Sequence, residues 1–564
     1  MRLSTVISTF SLLSATYVSG VRIPVTRRSL DLSGDPQHPV SVTRVNGDKS
    51  FGFTHASNQG YTATLYVNGV PFQCILDTGS SDTWIDTTVG NAIVPPNMFY
   101  TGVNSSTDYA DGTHAPGPLM LVNATWGPYT VQNQAIMIAD GVSPIKNEIS
   151  GLIGLSMAQE SNILSNLANT TYAASGIPLL MNIFVRNQDQ PNYFTFLMDR
   201  GELGITDGGV LTVSELVTEY EAVTSAPKLP LIGTFGWSTL LDGMSVNGKM
   251  VTGDSALASV SEKAFGVQIP SGKTVATLDT GTSWISGPKE FVEAAYKDIP
   301  GAVPTNDTLG AGLGYIIPCD TKLNLTFYFA GNPYPMHPID AVVLNTTADG
   351  IQNCLGAITV NDNPLALATD WLIGDSFMRN IYSLYDYGNQ TSQTDGNPYM
   401  QILSITNPDA AWAETDALML KRLSAYQEYF TSTYGVTPTT TQMAYTGPTY
   451  SVSVTSADNK QTFAPYPSVW SASAQPASSN AALSGALAED AEVDSKAGGS
   501  SVDLDGLTRN SYIIIGLLAA ALILLIIVAA FAVRASRANK GYRAVPTGGM
   551  GGGAPPKFVD PYTE

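Results

Sequence analysis

Asp77-Thr78-Gly79 and Asp279-Thr280-Gly281 repeat one tripeptide 202 residues apart in a chain of 564. Each copy follows a short apolar run and precedes hydroxyl side chains. Cys74-Ile75-Leu76 leads into the first and Ser80-Ser81-Asp82-Thr83-Trp84 follows it; Val275-Ala276-Thr277-Leu278 and Thr282-Ser283-Trp284 flank the second. Asp and Gly favour turns, so a single copy would read as a turn and nothing more. The shared flanks read instead as one design written twice. Amide hydrolysis by water needs a base to take a proton from the nucleophile and an acid to polarise the substrate. Two carboxyls held about 3 Å apart do not both ionise, so a facing pair shares one proton and supplies both functions in acid. Its apparent pKa values belong to the pair and not to either residue.

The elements that must carry these loops are also duplicated. An apolar-apolar-Gly element follows each, Leu152-Ile153-Gly154 in the first half and Leu372-Ile373-Gly374 in the second. The repeat is of domain size, far beyond the roughly 20 to 50 residues of a solenoid unit. From Tyr61 to about Thr406, short alternating or β-branched runs such as Tyr61-Thr62-Ala63-Thr64-Leu65-Tyr66-Val67 are divided by Gly, Pro and Asn turns, which predicts a mostly β, antiparallel architecture. Helical patterns are few: Pro288 to Ile299, with Phe291, Ala294 and Ala295 on one side, and Met157 to Leu167. Beyond Asn407-Pro408 a helix is expected over Asp409 to Phe430. Ser, Thr, Ala and Pro then prevail from Thr431 to about Asn510, a composition with too few bulky residues to order itself.

Taken together these residues resemble the pepsin-like aspartic proteases, and among them the membrane-anchored secretory-pathway members of fungi. The resemblance spans roughly Tyr61 to Thr406. It rests on the two Asp-Thr-Gly-Ser/Thr loops, the two apolar-apolar-Gly elements, and Trp371-Leu372-Ile373-Gly374-Asp375-Ser376-Phe377, which is similar to the family's signature in the C-terminal lobe. It implies two β lobes related by a pseudo-twofold axis, a substrate cleft between them, and an acid endopeptidase cutting polypeptides beside large apolar side chains. It also implies Asp77 and Asp279 as the catalytic pair, with no cofactor. Thr78 and Thr280 would tie the loops across the lobe interface, and Ser80 and Thr282 would bond the outer carboxyl oxygens. Gly79 and Gly281 allow close backbone approach. Family members fold a hairpin flap over the cleft, and Tyr109-Ala110-Asp111-Gly112-Thr113 matches it best, so Tyr109, Gly112 and Thr113 are the candidate flap residues, with Trp84 supporting the Tyr109 phenol. The stretch from Asp77 to Tyr109 looks shorter than usual in the family.

Two other functional classes fit less well: a catalytically silent homologue that binds peptides, against which both intact aspartates count, and a cell-surface glycoprotein, which leaves the duplicated loops unexplained. The net charge of −20 argues against nucleic acid, which calls for a basic patch. The four histidines, His38, His55, His114 and His337, have no neighbour at metal-ligand spacing, so no metal is expected. Both carboxylates lie on one chain, so a monomer suffices. Residues 1–20 have Arg2, an apolar run from about Val6 to Val18 and then Ser19-Gly20, the pattern of a signal peptide. Tyr512 to Val533 is an uncharged run long enough to span a bilayer, and Arg534, Arg537, Lys540 and Arg543 follow it. That predicts a single-pass type I membrane protein whose catalytic part is extracellular or inside an acidic endosomal or vacuolar lumen. Seven Asn-x-Ser/Thr sequons, at Asn104, Asn123, Asn169, Asn306, Asn324, Asn345 and Asn389, suit that compartment. Cys319 and Cys354 are the candidate disulfide, and Cys74 is expected to be a buried thiol. The expected division is 1–20 signal, 21–55 N-terminal or pro-segment with Arg27-Arg28 as a processing site, and 56–407 protease domain with lobes of about 56–220 and 221–407. Helix and stalk follow at 408–511, the span at 512–533 and a cytoplasmic tail at 534–564.

Overall fold

The computed structural model describes residues 35–440, apart from 45–49, 56–59, 90–92, 111, 143–148, 201–207, 233–235, 266, 307–311, 347–350, 392–395 and 436. The expected signal segment, Arg27-Arg28, nearly all of the stalk, the 512–533 run and the tail lie outside the described residues. Among the described residues no helix is long and apolar enough to cross a membrane.

The N-terminal half runs through nine strands: β1 (Ser41–Arg44), β2 (Ser50–His55), β3 (Tyr61–Val67), β4 (Val70–Asp77), β5 (Thr83–Asp86), β6 (Phe99–Asp108), β7 (His114–Trp126), β8 (Tyr129–Ala139) and β9 (Gly151–Gly154). β3 and β4 form a hairpin through Asn68-Gly69, with φ of +47° and +85°. Asn-Gly suits such a turn because both central residues need positive φ. Asn247-Gly248, at +50° and +80°, makes the equivalent turn in the second half.

The lobes repeat one pairing scheme. β4 lies parallel to β9, β9 is antiparallel to β5, and β5 is parallel to β8. In the second half Thr274–Leu278 lies parallel to Trp371–Ile373, which is antiparallel to Ile285–Gly287, which is parallel to Ile358–Val360. Thr274–Leu278 is buried at every position, as expected of a strand covered on both faces. The register sets Asp77 opposite Gly154 and Leu278, just before the second aspartate, opposite Ile373. The apolar-apolar-Gly elements thus run beneath the Asp loops. A Cβ on Gly154 would lie 2.3 Å from the Ser81 carbonyl carbon, and one on Gly374 only 1.9 Å from the Thr282 carbonyl oxygen, so only glycine fits.

Between the lobes, Leu229–Pro230, Tyr399–Ser404, Ile381–Asp386, Tyr193–Met198, Gly209–Val213 and β2 pair in that order and continue into β3. Phe194 stacks on Tyr385 at 4.7 Å between centroids, and the Trp237 ring lies 5.0 Å from Tyr385 and 5.2 Å from Tyr387. This aromatic cluster joins both halves in one apolar core.

Several elements differ from the sequence expectation. β1 and β2 belong to the sheet although they precede the expected domain start at residue 56. The Met157 to Leu167 helix is broken: a 3-10 turn at Ala158–Glu160 is separated from α1 (Asn162–Leu167) by Ser161, whose extended backbone lets its Oγ accept the Leu164 N–H. A helix does cover Lys289–Tyr296, but its buried face is Phe291, Val292, Ala295 and Tyr296, and Ala294 faces solvent. The C-terminal helix spans Pro408–Tyr434, four residues beyond Phe430. Asn407 caps it, Ala411, Thr415 and Met419 are buried at i, i+4 spacing, and Gly435 ends it at positive φ. Thr439–Thr440 then pairs with Ile351–Gln352, so residues placed in the stalk still belong to the folded unit. Cys319 and Cys354 are bonded, with Cα atoms 5.2 Å apart, and Cys74 is a buried free thiol.

Candidate active site

β4 delivers Asp77 into the first loop, and the Leu155 N–H donates to its carbonyl at 2.7 Å. In the second loop the Asp279 N–H donates to Ile373 O at 3.0 Å. Each carboxyl is then held by its own loop. Gly79 N donates to Asp77 Oδ1 and Gly281 N to Asp279 Oδ1, both at 2.8 Å. Ser80 Oγ donates to Asp77 Oδ2, and Thr282 Oγ1 to Asp279 Oδ2 at 2.6 Å.

Four bonds tie the two Asp loops together across the lobes. Thr78 N donates to Thr280 Oγ1 at 2.9 Å and Thr280 N to Thr78 Oγ1 at 3.0 Å. The same hydroxyls donate onward, Thr78 to Leu278 O at 2.8 Å and Thr280 to Leu76 O at 2.6 Å. Both threonines are fully buried. The lock brings the carboxyls together: a Cβ on Gly79 would sit 2.5 Å from Asp279 Oδ1, and one on Gly281 equally close to Asp77 Oδ1. Here the glycines are required by the opposite carboxylate. Burial pushes the Asp77 carboxyl well above the usual range, the Asp279 charge adds to this, and the bonds from Ser80 and Gly79 oppose it.

The hairpin of β6 and β7 turns at Tyr109 to Thr113. Tyr109 N donates to Thr113 O at 2.9 Å, and Gly112, at φ +85°, donates to Tyr109 O at 3.0 Å. The indole of buried Trp84 donates to the Tyr109 hydroxyl at 2.6 Å. Burial, with the charge of Asp77 second, pushes that phenol up. Thus the predicted residues Asp77 to Ser80, Asp279 to Thr282, Trp84 and Tyr109 come together, and Gly112 and Thr113 shape the turn.

Sequence reasoning assigned no role to three other acids. Asp375, inside the Trp371 to Phe377 signature, is fully buried, and neither carboxyl oxygen has a hydrogen-bond partner among the described residues. Burial pushes it well up, Arg379 opposes this, and Asp279 and Asp77 both reinforce it. Asp82, within the first loop's flank, accepts four bonds. Glu160 joins the lobes: Gly236 N donates to its Oε1 at 2.8 Å and Ser156 Oγ to its Oε2 at 2.9 Å. Beside it, the Trp237 indole and Tyr387 hydroxyl both donate to Leu155 O, at 3.0 and 2.6 Å. The partners of Asp82, and the Gly236 partner through which Glu160 joins the lobes, are dozens of residues away in the chain, so no local signal marks these roles. Among the described residues no three His, Cys, Asp or Glu side chains cluster as metal donors.

A family model described as eukaryotic aspartyl protease matches residues 60–394. The chain is 25% identical over 379 residues to an aspartic protease of Phaffia rhodozyma, covering 63% of this chain and 81% of the relative. It is 27% identical over 382 residues to major aspartyl peptidase 1 of Cryptococcus neoformans, covering 64% and 72%, and 25% identical over 341 residues to pepsin A of Rhinolophus ferrumequinum, covering 58% and 79%. The chain belongs to the eukaryotic aspartyl protease family, on a pepsin-like mostly β fold. It is an aspartic endopeptidase acting on polypeptides.

Burial pushes the Glu160 carboxyl up to about 8. The folded state then holds this proton more tightly than an unfolded chain does. The resulting stability is fully present below the ordinary glutamate range near pH 4.3 and is lost as pH rises to about 8. Glu160→Gln, which mimics the protonated acid, is therefore expected to lose less thermal stability than wild type between about pH 5 and about pH 8. Melting temperatures that fall equally steeply in both proteins would contradict the assignment.

Proposed function

We propose that Asp77 and Asp279 are the catalytic dyad, sharing one proton and activating a water held between them. The observation that carries this reading is the reciprocal Thr78–Thr280 lock, which leaves no room for even a Cβ between each loop glycine and the opposite carboxylate. One carboxylate takes a proton from the water as its oxygen attacks the peptide carbonyl carbon, while the proton on the other carboxyl polarises the carbonyl oxygen. The tetrahedral adduct then breaks its C–N bond, the amine leaves with a proton from the dyad, and the products are a carboxylic acid and an amine. Ser80 and Thr282 hold the outer oxygens, and Tyr109, steadied by Trp84, closes over substrate and excludes water. Large apolar residues flanking the scissile bond are the preferred substrates, a reading supported by the family resemblance. One chain supplies both aspartates, so a monomer is active.

The upward shift at Asp77 keeps the shared proton bound to higher pH than an ordinary aspartate would, so activity extends above the ordinary carboxylate range and is lost once rising pH removes that proton. Asp77→Asn and Asp279→Asn are each expected to lower kcat by about 10⁴-fold or more. Ser80→Ala, which removes a bond that lowers the shift, moves the alkaline limb of kcat/KM to higher pH. The assay is cleavage of an unfolded protein from about pH 3 to about pH 7, with and without a statine-type inhibitor. A folded Asp77→Asn protein that still cleaves at the wild-type rate sinks the assignment.

We further infer a type I topology, with the 512–533 run as anchor and the protease domain extracellular or in an acidic endosomal or vacuolar lumen. The uncharged run with its basic flank, the sequons and the disulfide support this. The fold sorts the sequons. Asn104, Asn123, Asn169 and Asn306 are exposed, whereas Asn345 is buried and its Nδ2 donates to Asn353 Oδ1 at 3.1 Å. Glycopeptide mapping of the membrane-bound protein is expected to find glycans on the first four and none on Asn345. An unglycosylated protein would contradict the compartment, and a glycan on Asn345 would contradict the sorting.

A further inference from the structure

Asp82 is buried and reaches three elements at once. Its Oδ2 accepts from Thr107 Oγ1 on β6 at 3.0 Å and from Asn162 N at 3.1 Å. Its Oδ1 accepts from Ser161 Oγ at 2.6 Å and Ile163 N at 3.3 Å, at the start of α1. Its own carbonyl accepts from Gly154 N at 3.0 Å, which fixes it to the end of β9 beneath the first Asp loop. α1 grips the same flap strand in turn: Asn162 Nδ2 donates to Ser106 O at 3.0 Å, and Asn166 Nδ2 to Ser105 Oγ at 2.9 Å. Residues 105–107 are therefore braced on successive positions, immediately before the strand ends and the chain turns at Tyr109.

The geometry points to Asp82 as a positioning residue that sets the flap over the dyad, acting through Thr107 and α1 without touching substrate. The inference rests on the reading of Tyr109 as the flap residue. Asp82 lies five residues after Asp77 and two before Trp84, so one short segment holds a catalytic carboxyl, the indole under Tyr109 and the brace for the strand behind it. Trp84 fixes the tip, and Asp82 fixes the stem. A flap held at both points meets the substrate in one arrangement, whereas a flap held only at the tip swings about the Trp84–Tyr109 bond.

Thr107→Val removes the hydroxyl and keeps the shape. It is expected to lower kcat/KM for a long peptide about tenfold and to weaken a statine-type inhibitor by the same factor. Thr107→Ser restores both. In the cycle with Asp82→Asn, the double variant is no worse than Asp82→Asn alone, because both changes cut the same tie. Each protein is assayed well below its measured unfolding temperature, and if Asp82→Asn does not fold, the Val and Ser pair decides alone. A Thr107→Val protein within twofold of wild type on both readouts, or losses that add in the cycle, would overturn the proposal. Tyr109→Ala separates the two levels: if it too leaves kcat/KM unchanged, the flap reading itself fails, and if it impairs catalysis while Thr107→Val does not, only the brace fails.

Discussion

The reciprocal bonding of Thr78 and Thr280 is the constraint on which the rest of this molecule depends. Each backbone N–H donates to the opposite hydroxyl, and each hydroxyl donates to a carbonyl of the opposite strand, so the N–H and hydroxyl of both buried threonines have their partners across the lobes. Buried donors and acceptors left unmatched cost about 1–3 kcal/mol each, so the set is cooperative: moving one lobe breaks all four bonds together. No single β lobe could make this arrangement, because half of every bond belongs to the other. Duplication within one chain therefore does what two subunits would otherwise have to do.

The lock also explains the local chemistry. With the loops this close, Gly79 and Gly281 each face the other lobe's carboxylate, and any side chain there would displace it. The carboxyls enter a site where solvation is poor, Asp77 moves up, and the Ser80 and Gly79 donors limit how far. Asp375 extends the same electrostatic unit from below, its burial outweighing the nearby Arg379. A contrasting cluster lies further away, where Arg200 and Arg379 hold Asp340 far below the usual range despite its complete burial. Burial raises one acid and fails to raise another, and the presence of paired guanidinium groups decides which.

Much of this was legible in the sequence because the signal is local. An aspartate after an apolar strand, then threonine, glycine and a hydroxyl, specifies a turn whose bonds lie within three residues, and the duplicated copy specifies its partner. The Trp84–Tyr109 bond was legible only through the family resemblance. The bracing acids were not legible, since Glu160 finds Gly236 and Asp82 finds Thr107 and Ser161 only once the sheet has folded. Helix limits failed for physical reasons too. Ser161 breaks the 157–167 pattern because its hydroxyl caps α1 better than its backbone continues the preceding turn. The C-terminal helix outruns its pattern to Tyr434 and ends only where Gly435 takes positive φ and its N–H donates to Thr431 O. β1 and β2 were missed because each is short and takes a partner far along the chain, β8 for β1 and Gly209–Val213 for β2.

The most direct test of the central claim is a comparison of Thr280→Val with Thr280→Ser on the intact protein, reading kcat against pH for a peptide substrate. A hydroxyl that only decorates a turn would be dispensable, whereas one that aligns two carboxyls is not. Thr280→Ser is expected to stay within a few-fold of wild type with the same acidic profile. Thr280→Val should remain folded and bind peptide but lose roughly a hundredfold or more in kcat, the scale on which small misplacements of reacting groups are felt. A folded Thr280→Val protein with wild-type kcat and an unchanged pH profile would contradict that claim.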